Sequence, residues 1–309
     1  MLPALLATIL FSMSAVSANR MARTLGGTEA NFWRISLASL FLGLWAFSFG
    51  TRDFGAAFPI FLVSGCVGFG LGDVALFQAL PRLGSRLSIL LVHCLAAPFA
   101  SLTEWLWLGT QLSAIEVVAA LTILGGVAVA LAPSDHVNLP RRTLFIGLLA
   151  GVVAAIGQGG GAVLSRVAYR IAREDGQDID GLSAAFQRIL GGVLVSGIAL
   201  LVVKRKSLLK LGAPELSPQN ELLSTGEKWR RIRWWICFNA LAGPTLGVGC
   251  YQWALKTKGT GVVLPIVAIT PLMVIPFAAW IEGERPSKRS LLGGVIAVAG
   301  AVLLALGSR

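Results

Sequence analysis

The sequence predicts an all-α integral membrane protein, with ten transmembrane helices arranged as two inverted five-helix repeats. Three observations predict it. Of the 309 residues, 55% are hydrophobic and only 13% are charged, about half the charged share of a soluble protein. The charges cluster in segments such as RTLGGTE and RVAYRIARED, leaving apolar runs near or above the roughly 20 residues that a helix needs to cross hydrocarbon. The chain also repeats itself. Residues 68–84, GFGLGDVALFQALPRLG, and residues 243–259, GPTLGVGCYQWALKTKG, share glycine, leucine-glycine, alanine-leucine and a closing glycine at matching positions.

The expected spans are 2–19, 31–49, 57–80, 86–108, 114–132, 143–164, 181–203, 233–255, 260–281 and 290–307. Span one is serine-rich and ends at Arg20. Its AVSA could pass for a signal-peptidase site, but no basic segment precedes it and span six repeats its plan up to Arg166, so it is read as a retained helix. Span two opens on Phe32-Trp33-Arg34, mirrored by Phe186-Gln187-Arg188 in span seven. In spans three and eight, Gly68 and Gly72, like Gly243 and Gly247, stand four apart on one face, where missing side chains let neighbouring helices approach. Pro98 in span four and Pro271 and Pro276 in span nine remove backbone donors and predict kinks. Gly109 before span five matches Gly283 before span ten, and the run from Gln158 to Gly161 in span six reads as a hinge or a close contact. Residues 133–142, PSDHVNLPRR, join repeat 1–132 to repeat 143–309, and residues 204–232 form a long polar loop. Trp33, Trp105, Trp107, Trp234, Trp235, Trp253 and Trp280 fall near span ends, where indole rings favour the headgroup layer. Because each repeat has an odd number of spans, the second copy must insert upside down relative to the first.

The net charge of +11 belongs to basic loops beside membrane spans. No zinc-finger spacing, RNP-like aromatics or continuous basic helix supports a nucleic-acid partner. Cys66, Cys94, Cys237 and Cys250 lie inside spans without a CxxC pair, so they are small packing residues. No metal or cofactor is expected.

Asp73, His93 and Glu104 are ionisable residues well inside spans. A charge at the bilayer centre costs at least ~2.5–3.5 kcal/mol, so such residues usually mark a pathway or a proton relay. Asp73 aligns with Val248 in the second repeat, which shows that the scaffold does not demand a carboxylate there. In span four, His93, Ala97, Ala100, Ser101 and Glu104 share one face, and Leu91, Leu95, Leu102 and Leu106 the opposite, lipid-facing one. His93 and Glu104 stand roughly 16 Å apart along the axis, so they bracket a cavity wall. The bland readings are a helix-to-helix hydrogen bond for His93 and, for Glu104, a side chain snorkelling beside Trp105. Arg34 and Arg188 lie within two turns of their helix starts, placed either to snorkel to headgroups or to capture an anionic group at each mouth. Gln78, Asn239, Tyr251 and Gln252 are further candidates for the cavity wall, and Glu282 and Glu284 are expected to pair with Arg285 or Lys288 at the surface.

With these features in order, the chain resembles the EamA-type family of the drug/metabolite transporter (DMT) superfamily over essentially its whole length. The carrying features are the two five-helix halves, the LG…AL…G pattern of spans three and eight, and PLMVIPFAAWIEGERPS at 271–287. Gly109-Thr110 departs from the glycine-glutamate pair usual in that family at the end of span four; Glu284 keeps it in the second half. The resemblance implies ten helices, an inner-membrane (or plasma-membrane) location, cytoplasmic termini and carriage of small organic solutes. Lysine and arginine concentrate in the odd-numbered loops, which favours the opposite orientation. The expected function is a secondary transporter of a small organic metabolite or drug-like solute by alternating access, with the proton as candidate coupling ion. The alternative is an integral-membrane enzyme acting on a lipid-linked substrate. That would need converging nucleophile, base or metal ligands, and the chain has only His93 and His136 as histidines and no GxSxG elbow.

Overall fold

Apolar runs bounded by glycine, proline or charge become helices in the computed structural model, which describes residues 2–51, 54–108, 113–131, 140–208, 225–258, 260–283 and 287–307. In order these are α1 (Leu2–Leu25), α2 (Gly27–Ser48), α3 (Phe58–Gly65), a π-helical segment π1 (Cys66–Gly72), α4 (Asp73–Leu108), α5 (Ala114–Leu131), α6 (Arg141–Glu174), α7 (Gly181–Leu208), α8 (Thr225–Ala240), a second π segment π2 (Leu241–Gly247), α9 (Val248–Thr257), α10 (Thr260–Val267), α11 (Thr270–Ile281) and α12 (Lys288–Gly307). Only Gly26, at φ 86°, separates α1 from α2, a left-handed backbone that glycine adopts without a Cβ penalty. Gly84, at φ 79°, likewise divides α4 into 73–83 and 85–108.

The expected proline effects divide. Span nine does break, because α10 ends at Val267 and α11 starts with Pro271 in its first turn, where a missing N–H costs nothing. Helix α4 runs on through Pro98 and α11 through Pro276. The long polar loop is shorter than expected, since α7 reaches Leu208 and α8 begins at Thr225. Most of 133–142, together with Gly109, Thr110, Glu284 and Arg285, lies outside the described residues.

The two π segments were not foreseen. Each is seven residues long and occupies the same place in its repeat, ending immediately before Asp73 in one copy and Val248 in the other. A π turn bonds i to i+5 and is a recurrent mark of functional sites. Glycine makes both close contacts possible. A Cβ on Gly157 of α6 would lie 2.6 Å from the Gly72 Cα, and one on Gly161 3.2 Å from the Gly68 Cα. Gly247 of π2 sits under the Phe11 ring of α1, 2.9 Å from where its Cβ would be. The first helix of each half thus packs on the π segment of the other half.

Helices that the repeat aligns with each other run antiparallel. In α2 and α7, Asn31 meets Ser196 and Gly43 meets Phe186, and just beyond α2 Gly50 meets Ser183. In α5 and α12, Gly126 and Ala130 of one interlock with Gly293 and Ala297 of the other, and Ile123 faces Gly300. Small residues at this seam let the backbones approach. A continuous core then joins both halves, from Ala4, Phe61 and Leu90 to Ala162, Tyr169 and Leu264.

The outer surface is apolar. Leu194, Ile198 and Leu201 form an exposed stripe on α7, and Leu40, Leu44, Leu121, Phe145 and Leu149 are exposed elsewhere. Patches this extensive on a monomer require an apolar partner. Among the described residues, five helical stretches are long and apolar enough to cross a membrane, and Val117–Ala130 and Thr270–Ile281 are shorter apolar helices. Trp33, Trp105, Trp234, Trp253 and Trp280 are exposed, in keeping with interfacial rings. The leucine face expected on span four needs correction. Leu102 and Leu106 do face outward, but Leu91 and Leu95 are buried, because Gly151 of α6 makes room for Leu91.

Asp180 ties the end of α2 to the start of α7. Its carboxylate accepts from the backbone N–H of Leu182 (2.9 Å) and Ser183 (3.0 Å), from the Ser183 hydroxyl, and from Trp45 Nε1 (3.3 Å) and the Thr51 N–H (3.4 Å). Burial pushes this carboxyl upward, but the donors outweigh it and hold the group below the usual carboxylate range. This is an N-cap.

Gly157→Val should destabilise the protein by about 1–3 kcal/mol through overpacking, whereas Gly125→Ala, with nothing within 4 Å of the added Cβ, should be neutral or slightly stabilising in a detergent melt. Asp180→Ala should cost about 1 kcal/mol at neutral pH. Because the folded pKa is depressed, that advantage is complete above the ordinary carboxylate value of about 3.9 and disappears as pH falls through the lower folded value. Wild-type and variant melting temperatures should therefore converge on acidification, and a constant gap would show that the cap is not the cause.

Candidate functional site

The repeat places an arginine near the start of α2 and of α7, and both turn inward. Arg34 is 5% exposed and Arg188 4%, so neither snorkels and neither stands at a mouth. Each guanidinium occupies space vacated by glycines of the other half. A Cβ on Gly243 would lie 3.4 Å from Arg34 Nη1, and a Cβ on Gly68 would lie 2.8 Å from Arg188 Nη2. Each also lies over a phenylalanine, Arg34 at 4.6 Å from the Phe77 centroid and Arg188 at 5.3 Å from that of Phe69, within cation–π range.

Arg34 is engaged through all three of its nitrogens. It forms an ion pair with Asp73 through Nη2, donates from Nε to Asn31 Oδ1 (3.0 Å) and reaches Asn239 Oδ1 from Nη1 (3.5 Å). Those partners are held in turn. Asn31 donates to Ser196 Oγ (3.0 Å), and Asn239 donates to the Ser14 carbonyl (2.7 Å) and to Ser17 Oγ (2.8 Å). Helices α1, α2, α4, α7 and α8 are all bolted to one guanidinium–carboxylate pair.

Arg188 is held differently. Its Nε donates to Ser64 Oγ (2.9 Å), which shares a hydrogen bond with Ser165 Oγ (2.9 Å) and donates to the Gly161 carbonyl (2.7 Å). Gln252 donates to Ser165 at 3.4 Å. Among the described residues no carboxylate lies within 4 Å of Arg188.

Both arginines, Asp73, His93, Gln158 and Tyr251 line one cavity of about 70 Å³, with Phe11, Phe69, Phe77, Leu76, Ile89 and Val248 as apolar wall. Gly68, Gly72 and Gly243 also face it. Phe11 stacks on His93 at 5.7 Å and meets Tyr251 edge-on at 6.0 Å. The Tyr251 hydroxyl is buried and has no hydrogen-bond partner among the described residues. An aromatic and aliphatic wall with a few convergent polar groups is the usual make-up of a small-molecule site.

Not every expected residue is there. Gln78 donates to Thr28 (3.1 Å) and accepts from Arg82 (3.0 Å) away from the cavity; it holds α4 to α2. Gln252 lies behind the wall, bonded to Ser165, and Asn239 supports Arg34 without lining the space. The Glu104 side chain and Glu284 lie outside the described residues. Glu282 accepts from Asn19 and Ser85, both at 2.9 Å, while Arg285, one of the partners expected of it, lies outside the described residues. Phe11, Ser64, Phe69, Phe77 and Gln158 were missed. Phe69 and Phe77 were signalled only by lying in the repeated glycine-rich stretch; apolar and hydroxyl residues such as Phe11 and Ser64 are indistinguishable from lipid-facing ones until helices are placed.

A family model described as "EamA-like transporter family" matches residues 1–132 and 145–306. A solved structure titled "Crystal structure of protein" is similar, with a TM-score of 0.63 at 19% identity, covering 98% of this chain and 96% of that one; at that identity the likeness speaks for the fold alone. No match to a curated protein was found.

Removing one member of the buried pair strands the other. Asp73→Asn and Arg34→Gln should each cost about 3–5 kcal/mol, while the double variant should lose much less than their sum. Thermal unfolding in detergent, run as a double-mutant cycle, checks this; strictly additive losses would show that the two side chains do not depend on each other.

Proposed function

The chain belongs to the EamA-like transporter family, multi-pass membrane proteins of the drug/metabolite transporter type, and from that premise we propose that it is a secondary transporter working by alternating access. Ten spans form two inverted five-helix halves, divided at 133–142, that rock about the Arg34–Asp73–Arg188 cavity and expose it to each side of the cell's inner membrane in turn. The antiparallel course of α2 against α7 and of α5 against α12 supports the inversion. So does the crossed arrangement in which the first helix of each half grips the π segment of the other.

The observation that carries the reading is the buried ion pair on the wall of the cavity. Charge inside a bilayer is costly and is retained where it serves a pathway. The second repeat forms the same scaffold with Val248 in place of Asp73, so the carboxylate is an addition to the architecture. Asp73 is the coupling candidate, since its protonation would release Arg34 and loosen the five helices joined there. The solute is a small organic molecule, consistent with the modest cavity and its apolar wall.

In sealed liposomes the purified protein should show solute counterflow. The Asp73→Asn/Arg34→Gln double variant should stay folded and lose it. Product formation in detergent without vesicles would instead point to an enzyme acting on a lipid-linked substrate.

A further inference from the structure

The two arginines occupy matching places in the two repeats and differ in how their charge is met. In the first repeat, Asp73 supplies a carboxylate to Arg34. At the matching position of the second repeat stands Val248, which lines the same cavity as Arg188. We infer that Arg188 is the binding residue for the carboxylate of a transported organic monoanion, which takes at the second arginine the place that Asp73 fills at the first. This deepens the carrier reading and rests on it.

Three observations carry the inference. The first is charge. The cavity holds two guanidiniums and one carboxylate among its described residues, an excess of one positive charge where water is scarce. One monoanion restores neutrality, and a neutral or zwitterionic solute does not. The second is unused hydrogen-bonding capacity. Of the Arg188 donors, Nε is taken by Ser64, and no acceptor engages either terminal nitrogen among the described residues. Those two nitrogens form the fork that matches a carboxylate. The third is the hydroxyl of Tyr251, which has no partner among the described residues and belongs to the same cavity wall as Arg188. Unpaired buried donors are rare enough to require an explanation, and an anion between Arg188 and Tyr251 satisfies both. The remainder of the wall, Phe11, Phe69, Ile89 and Val248, suits an apolar body, so the solute class is a small carboxylate with an aliphatic or aromatic tail.

The serine network behind Arg188 fits the same role. Ser64 and Ser165 are wholly buried and orient the guanidinium by its Nε edge, which leaves the terminal edge for the ligand. Neutral hydroxyls do this without cancelling the charge that attracts it.

The test uses the full-length purified protein with isobutyrate and benzoate as probes and isobutyramide and benzamide as neutral isosteres, read by thermal unfolding; a ligand that binds only the folded state raises its melting temperature. Both carboxylates should raise it and neither amide should. Arg188→Gln and Val248→Asp should each abolish the carboxylate-dependent shift, the first by removing the cation and the second by pairing it internally. In ligand-free protein both variants should melt at or above the wild-type temperature, because each relieves an uncompensated buried charge. Amides matching carboxylates, no shift from either carboxylate, or a shift that survives in both variants would overturn the proposal. So would a lower melting temperature in both ligand-free variants. Counterflow of neutral solutes only would overturn this inference and leave the carrier standing; carboxylate binding without counterflow would do the reverse.

Discussion

A guanidinium inside a bilayer cannot be solvated by lipid, so everything that keeps Arg34 charged must come from the protein. That constraint organises the interior. Asp73, Asn31, Asn239 and the Phe77 ring surround one arginine, and the serines behind Asn239 and the serine beyond Asn31 anchor those partners to other helices. Buried polar networks of this kind are specific because a partly satisfied one is worse than none. The helices that meet at the cavity are therefore held in register by hydrogen bonds as well as by van der Waals contact, which in membranes has no hydrophobic effect to assist it.

Glycine makes the network sterically possible. Where Gly68, Gly161 and Gly243 stand, added methyl groups would meet the arginine side chains. Where Gly72 and Gly157 stand, they would meet backbone. The π segments add a residue to the turn at this contact, and both end where the aspartate or its valine counterpart enters the cavity. A wider turn with spare backbone groups is a natural place for movement between two arrangements, which is what the proposed alternation requires.

Legibility in the sequence differed by residue type. Helix existence could be read from long apolar runs, and span nine was placed at 260–281, where α10 and α11 together lie. Asp73 could be singled out because a lone carboxylate in an apolar run is costly wherever it points. Arg34 and Arg188 were visible, but their depth was not: a long side chain near a helix end can reach headgroups or turn inward with equal ease, and the neighbouring helices decide. Gln78 and Gln252 looked equivalent to Tyr251 along the chain, yet only Tyr251 reaches the cavity. Leu91 and Leu95 carried the pattern of lipid-facing residues and are covered by α6, whose glycines receive them.

The sequence by itself determined that this is a helical membrane protein with an internal repeat, because hydrocarbon thickness sets a minimum apolar length and duplication leaves matched glycines. It also determined the family, through the ordered recurrence of those motifs. Only the tertiary structure decided which half supplies which wall, that each arginine packs on a glycine of the opposite half, and that Asp73 pairs with one arginine while no carboxylate among the described residues pairs with its twin. Those are properties of distances between segments over a hundred residues apart, and periodicity along one chain carries no information about them.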